Sequence, residues 1–217
     1  MKGLLVKDLE LSLQQKKFFL VLLVLGVLLT FSTDGTFAAG YFTFVCAMFV
    51  TSTISYDEYE NGFPFLLTLP ASRSEYVKEK YLFALGRVGA AWLTGLAVEL
   101  LCCLFDVSAV RLDEVVGVSL VMLAVALVVD AVMIPFLLKY GQEKGRYISL
   151  GVLGAVTAAG YFAGRLLGNG GIDLLKVLEK LENADSWLMT GVLLAGTVLV
   201  YVVSYGISRV IMNKKEF

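Results

Sequence analysis

The chain has no histidine, and only three prolines and three cysteines among its 217 residues. Without histidine there is no His–Cys or His–Ser nucleophile pair, no HExxH zinc motif and no imidazole proton relay. Cys46, Cys102 and Cys103 all sit in apolar runs. Their number is odd and their spacing fits no metal site, so they read as small buried apolar side chains rather than a disulfide framework or zinc ligands. No GxSxG elbow is present, which leaves an intramembrane enzyme without its nucleophile. Charge is also scarce. Asp, Glu, Lys and Arg make up 17% of the chain, the net charge is −1, and there is neither a basic arm nor an acidic tail. Nothing here points to nucleic acid.

Hydrophobic residues are abundant instead, at 58%, and mean hydropathy is +0.80. A soluble domain is closer to half apolar and a quarter charged. The excess falls in blocks of about 20 residues, the length that crosses a hydrocarbon core of roughly 30 Å. The expected fold class is therefore an all-α polytopic membrane protein, one domain over residues 1–217. Six spans are predicted: Phe18–Phe31, Phe37–Ile54, Tyr81–Phe105, Val115–Leu138, Tyr147–Leu167 and Trp187–Ile211. No internal repeat is visible, so an inverted-repeat transporter has no positive support.

Residues 1–17 are too polar to span. Leu4, Leu5, Leu9 and Leu13 recur at helical spacing among Lys2, Lys7, Asp8, Gln15 and Lys16, a pattern that predicts an amphipathic helix in the membrane interface. A secretory signal peptide would need cleavage near Phe37-Ala38-Ala39, but the polar region is long and five more spans follow. Lys and Arg set the orientation. Thirteen of the eighteen fall on one side: Lys2, Lys7, Lys16, Lys17, Arg73, Lys78, Lys80, Lys139, Lys144, Arg146, Arg209, Lys214 and Lys215. The other side holds Arg111, Lys176 and Lys180. This bias predicts cytoplasmic N- and C-termini.

Two connections are long. The external one, residues 168–186, carries Ile172, Leu175, Leu178 and Leu181 at helical spacing, with Lys176, Glu179, Lys180 and Glu182 on the other face. It reads as an amphipathic helix on the outer surface. The cytoplasmic one, residues 55–80, opens with Tyr56, Asp57, Glu58, Tyr59 and Glu60. Asn61-Gly62 and Pro64 interrupt any helix there. Phe63, Phe65, Leu66, Leu67 and Leu69 form an apolar stretch that Pro70 stops. Ser72 and Glu75 then form a capping box that starts the helix leading into the third span. An apolar, aromatic segment on that face suits the docking of a partner; an ordinary loop packed on the bundle is the alternative. A metal site at Asp57, Glu58 and Glu60 is disfavoured, because three adjacent carboxylates cannot converge on one ion without other ligands.

Ionisable residues inside spans are costly, by about 2.5–3.5 kcal/mol each on insertion scales. Arg87 and Asp130 fall at similar depths near the cytoplasmic side, and Glu99 and Arg165 near the outer ends of their spans. Two pairs are expected, Arg87–Asp130 and Glu99–Arg165. They are either structural, with snorkelling charges as a variant of that reading, or part of a translocation path. Gly160, Gly164 and Gly168 permit close helix approach, within one subunit or between two. Pro135 is expected to kink or weaken the fourth span near its cytoplasmic end.

The run Tyr56-Asp57-Glu58, the aromatic Phe63, Leu66-Leu67, Leu69-Pro70-x-Ser72-Arg73, Val77 and Lys80-Tyr81 resembles the motif of type-2 ABC transporter permeases. The compact six-span permeases of Gram-positive bacteria are the most similar, and the likeness extends over the whole chain. The family often carries Trp near Asn61–Phe63, where this chain has Phe63. The resemblance implies the permease subunit of an ABC exporter in the plasma membrane, working as a homodimer or heterodimer among membrane lipids. It implies a coupling helix between the second and third spans that docks on an ATPase subunit, present in two copies. Tyr56, Asp57, Glu58, Phe63, Leu69, Pro70 and Arg73 would be the docking positions, with the acidic residues facing basic ones and Phe63 anchored in a pocket. The chain has no GxxxxGK[ST] loop, so it is not itself an ATPase of that kind. It needs no cofactor of its own; ATP and Mg would bind the partner. Small peptides or amphipathic toxins are the cargo the family suggests, with lipid or drug export open. A membrane-embedded sensor or immunity protein that binds a ligand or partner without transport is the alternative function.

Overall fold

The computed structural model describes residues 2–32, 37–58, 72–105, 112–169 and 186–215. Among them every element is an α-helix: α1 (Lys2–Gln14), α2 (Lys16–Ser32), α3 (Ala38–Glu58), α4 (Arg73–Leu104), α5 (Leu112–Asn169) and α6 (Ser186–Lys214). Four helices are long and apolar enough to cross a membrane: Ala38–Glu58, Arg73–Leu104, Leu112–Tyr140 and Trp187–Lys214. Residues Gly3–Gln14 and Lys16–Ser32 meet at 65° and make a fifth span if that bent pair counts as one. Helices suit this setting because each satisfies its own backbone polar groups where no water is available.

The central helix is α3. In its most apolar stretch 56% of the residues are buried, against 22–33% for the other three spans. Its hydroxyls need no outside partner. Thr43, Thr51, Ser52, Thr53 and Ser55 each donate to a carbonyl one turn back in the same helix, so polar side chains fit an apolar interior. Helix α4 packs along α3 through Val77, Ala84, Val88, Ala91 and Gly95, a buried stripe of helical period. At Gly95 the two backbones touch: a Cβ there would overlap the main chain of Ala38 and Ala39. Trp92 fixes α4 to α5 by donating its Nε1–H to the Ser119 carbonyl at 3.0 Å.

Helix α2 stands at the edge. It buries only Gly26 and Thr30, and Gly26 lies against the Phe42 and Tyr41 rings of α3. Phe18, Leu20, Val21, Leu25 and Leu28 are exposed, as are Leu188, Val192, Leu199 and Val203 of α6. Apolar surface on this scale is lipid-facing in a membrane protein.

Helix α5 is two helices joined by one residue. Helical dihedrals continue through Pro135, and the break falls at Gly141 (φ 77°, ψ −179°). The predicted disruption at Pro135 is thus displaced to a residue whose backbone needs the left-handed region, which glycine enters without a Cβ penalty. The chain then doubles back so tightly that a Cβ on Gly145 would lie 2.8 Å from the Phe136 carbonyl oxygen.

Candidate functional site

Three helices meet through charges at one end of the bundle. On α1, Leu4, Asp8 and Ser12 recur every fourth residue and are buried, while Val6, Leu9 and Leu13 face outward. Helix α1 therefore turns a mixed polar stripe inward. The capping box at the start of α4 is formed: Ser72 accepts the Glu75 amide at 3.2 Å, and Glu75 accepts the Ser72 amide at 3.0 Å. This start places Tyr76 and Lys80 one turn apart on the face that meets α1 and α3.

Lys80 is fully enclosed. Its ammonium binds Asp8 of α1, lies 2.8 Å from Asp57 in the last turn of α3, and donates to Thr53 at 3.3 Å. Asp57 also takes Lys7 of α1 and the Tyr76 hydroxyl at 2.9 Å. Lys7 lies 3.2 Å from Asp8. Glu79, also buried, stands 4.0 Å from Lys80 and its oxygens have no hydrogen-bond partner among the described residues. Two ammonium groups thus face three carboxylates. An enclosed cluster of this kind adds little net stability, but losing one member leaves its partners uncompensated, at a cost of about 3–5 kcal/mol.

A second cluster lies beside it. Arg73 donates to the carbonyls of Asn213 at 3.1 Å and Lys215 at 2.8 Å, satisfying acceptors that the end of α6 leaves without intrahelical partners. Lys215 donates to the Leu138 carbonyl at 3.0 Å and lies 4.0 Å from Glu58. The Glu58 carboxylate rests where a Cβ of Gly141 would be, with Oε1 2.5 Å from that position. Together the two clusters tie α1, the end of α3, the start of α4, the turn of α5 and the end of α6 into one corner. They bracket residues 59–71.

The sequence-predicted positions divide among these places. Tyr56 is exposed and accepts a hydrogen bond from Gln15 at 3.3 Å. Asp57 is internal, engaged by Lys7, Lys80 and Tyr76; Glu58 is at the α5 turn; Arg73 caps α6. Phe63, Leu69 and Pro70 lie outside the described residues. The expected Arg87–Asp130 pair is not formed. Arg87 stacks on the rings of Phe19 and Phe49, 4.3 and 5.4 Å from their centroids, and both Asp130 carboxylate oxygens are buried without a hydrogen-bond partner. Glu99 accepts the Ala39 amide at 2.9 Å, occupying the N-terminus of α3. The Arg165 side chain lies outside the described residues, so the Glu99–Arg165 pair does too. Gly160, Gly164 and Gly168 lie on the helical second half of α5, and their surroundings are likewise outside the description. Among the described residues no group of three potential ligands is placed to hold a metal ion.

The family model described as ABC-2 family transporter protein matches residues 3–213. The chain belongs to the ABC-2 transporter family. No curated protein and no solved structure matches it. The ABC-2 family comprises permeases rather than enzymes, and membership implies a multi-pass membrane protein that works with an ABC ATPase subunit. In the sequence of this permease Lys7 and Asp8 stand out only as polar positions of an amphipathic helix, Lys80 only as a basic residue and part of the family motif, and Tyr76 not at all. The signal available was spacing: Asp8 shares a helical stripe with Leu4 and Ser12, and Tyr76 and Lys80 share one across a single turn.

Proposed function

We propose that this chain is the membrane-spanning subunit of an ABC exporter, moving a small peptide or amphipathic toxin outward. ATP and Mg are held by two copies of a separate ATPase. The reading rests on one observation above the others: the Lys7–Asp8–Asp57–Lys80–Tyr76 network joins the two helices flanking residues 59–71 to each other and to α1. Segment 59–71, with Phe63, Leu69 and Pro70, docks on the ATPase, and Tyr56 and Glu58 flank the contact. A displacement of that segment moves α1, α3 and α4 together because their charges are shared.

The permease has six spans in this reading. The bent α1–α2 pair is the first, and the second half of α5, doubled back at Gly141, is the fifth. Both termini and the two charge clusters are cytoplasmic, in accord with the thirteen Lys and Arg residues on that side. Gly160, Gly164 and Gly168 face a second permease subunit, of the same or a related chain.

The test is co-expression with the ATPase encoded beside this chain, purified through a tag on the permease. Wild type retains the ATPase. F63A/L69A loses it, with a folded permease. The double variant K80M/D8N, which strands fewer buried charges than K80M alone, keeps the ATPase bound but loses the permease's effect on its rate of ATP hydrolysis. An ATPase that never co-purifies in mild detergent, with no ATPase gene adjacent, overturns the reading.

A further inference from the structure

Arg87 is half-buried, with its guanidinium over the Phe19 and Phe49 rings and no carboxylate of the described residues beside it. It forms no ion pair among the described residues, and its Nε is buried without a hydrogen-bond partner. Aromatic faces offset part of the cost of a guanidinium in an apolar wall, and an anion would offset more of it. Asp130 is not that anion, and the Phe19 and Phe49 rings against which the guanidinium lies carry no formal charge.

The same guanidinium lines a cleft of about 230 Å³ between α2, α3 and α4. Apart from Arg87, Cys46 and Thr94 the lining is hydrocarbon. Leu23, Ala90 and Thr94 on its rim are exposed, so the cleft opens sideways, past the edge helix α2, toward the lipid-facing surface. Its orientation is fixed by its own residues. Phe19, at the Arg87 end, lies within one turn of the exposed Lys16 and Lys17 at the start of α2, so Arg87 is near headgroup depth. From there the cleft runs along α2 to Leu23 and along α4 to Thr94, away from the basic end and into the hydrocarbon. A cationic group at headgroup depth with an apolar channel leading inward matches the shape and charge of a lipid whose phosphate is anionic and whose headgroup adds no cation.

We infer that this cleft binds an anionic phospholipid of the surrounding bilayer, its phosphate at Arg87 and one acyl chain along Leu22, Leu23, Phe42, Val45 and Ala91. The volume accommodates part of one chain and leaves the rest of the lipid in the membrane. The inference does not depend on the transported substrate or on the ATPase.

The test uses the full chain in nanodiscs of equal parts phosphatidylcholine and phosphatidylglycerol, re-extracted in mild detergent, with the retained lipid identified by mass spectrometry. Wild type is expected to retain phosphatidylglycerol about fivefold over phosphatidylcholine, the selectivity one basic residue near the membrane surface provides. R87K keeps the preference and R87Q loses it. A90F fills the cleft from its exposed rim and loses retention with Arg87 intact, which carries the test if R87Q fails to fold. Equal retention of both lipids by wild type, or undiminished preference in R87Q or A90F, overturns the inference. Displacement of phosphatidylglycerol by an equal concentration of oleate also overturns it, by assigning the cleft to a free amphiphile.

Discussion

The Glu99 carboxylate of α4 accepts the Ala39 amide at 2.9 Å, closing the first turn of the central helix from outside it. The four leading amides of any helix lack internal acceptors, and an anion also complements the positive end of the helix dipole. Glu99 is buried, so water does not replace it. Glu99→Gln retains an acceptor oxygen and should cost little. Glu99→Ala strands the amide and should cost about 1–2 kcal/mol. Thermal unfolding of purified protein in detergent checks the order; equal melting of the two variants would contradict this role.

Lys80→Met removes the charge shared by Asp8 and Asp57 while keeping the length of the side chain. The two enclosed carboxylates then repel, and a loss of about 3–5 kcal/mol is expected. Adding Asp8→Asn to Lys80→Met should restore part of it, since one of the stranded charges is gone. Monodisperse yield and melting temperature of the single and double variants read this directly.

Tyr81 is a junction between α4 and α6. Its hydroxyl contacts Ser204 at 2.6 Å and Ser208 at 2.8 Å, and its carbonyl accepts the Tyr201 hydroxyl at 2.9 Å. Tyr81→Phe forfeits two side-chain bonds and should cost about 1–2 kcal/mol, while Tyr201→Phe forfeits one and should cost about 1 kcal/mol. Because the bonds share a residue, the double variant should depart from additivity, and a double-mutant cycle on melting measures by how much.

Arg87 and Asp130 should behave independently. A charge exchange, Arg87→Asp with Asp130→Arg, is expected to rescue nothing. Asp130→Asn should leave melting unchanged or raise it, because the carboxylate is fully buried with neither oxygen hydrogen-bonded. Rescue by the exchange would show that the two meet in some state of the protein.

Depth along a helix is legible from residue counting, because each residue advances 1.5 Å. That is why Arg87 and Asp130 are matched in depth by the sequence. Azimuth is what the count omits: Arg87 turns to the Phe19 and Phe49 rings. The same limit applies to Lys80. As a number it is one of thirteen basic residues on one side; its burial between Asp8 and Asp57 depends on how α1 folds against the bundle. The start of α4 was readable in full, because a capping box is a local arrangement of Ser72 and Glu75 that requires no tertiary partner. The turn in α5 was not. Proline is the residue that disturbs a helix by its own chemistry, whereas Gly141 does so only because the following helix must come back against Phe136.

That reversal works as a fulcrum with a long arm. The helix from Gly141 to Asn169 is roughly 40 Å long at 1.5 Å per residue. A rotation of about 10° at its root therefore sweeps its far tip through roughly 7 Å. The carboxylate of Glu58, at the end of α3, rests against that root. A turn of the helix at Gly141, driven by an adjustment of Glu58, would thus be magnified along its length.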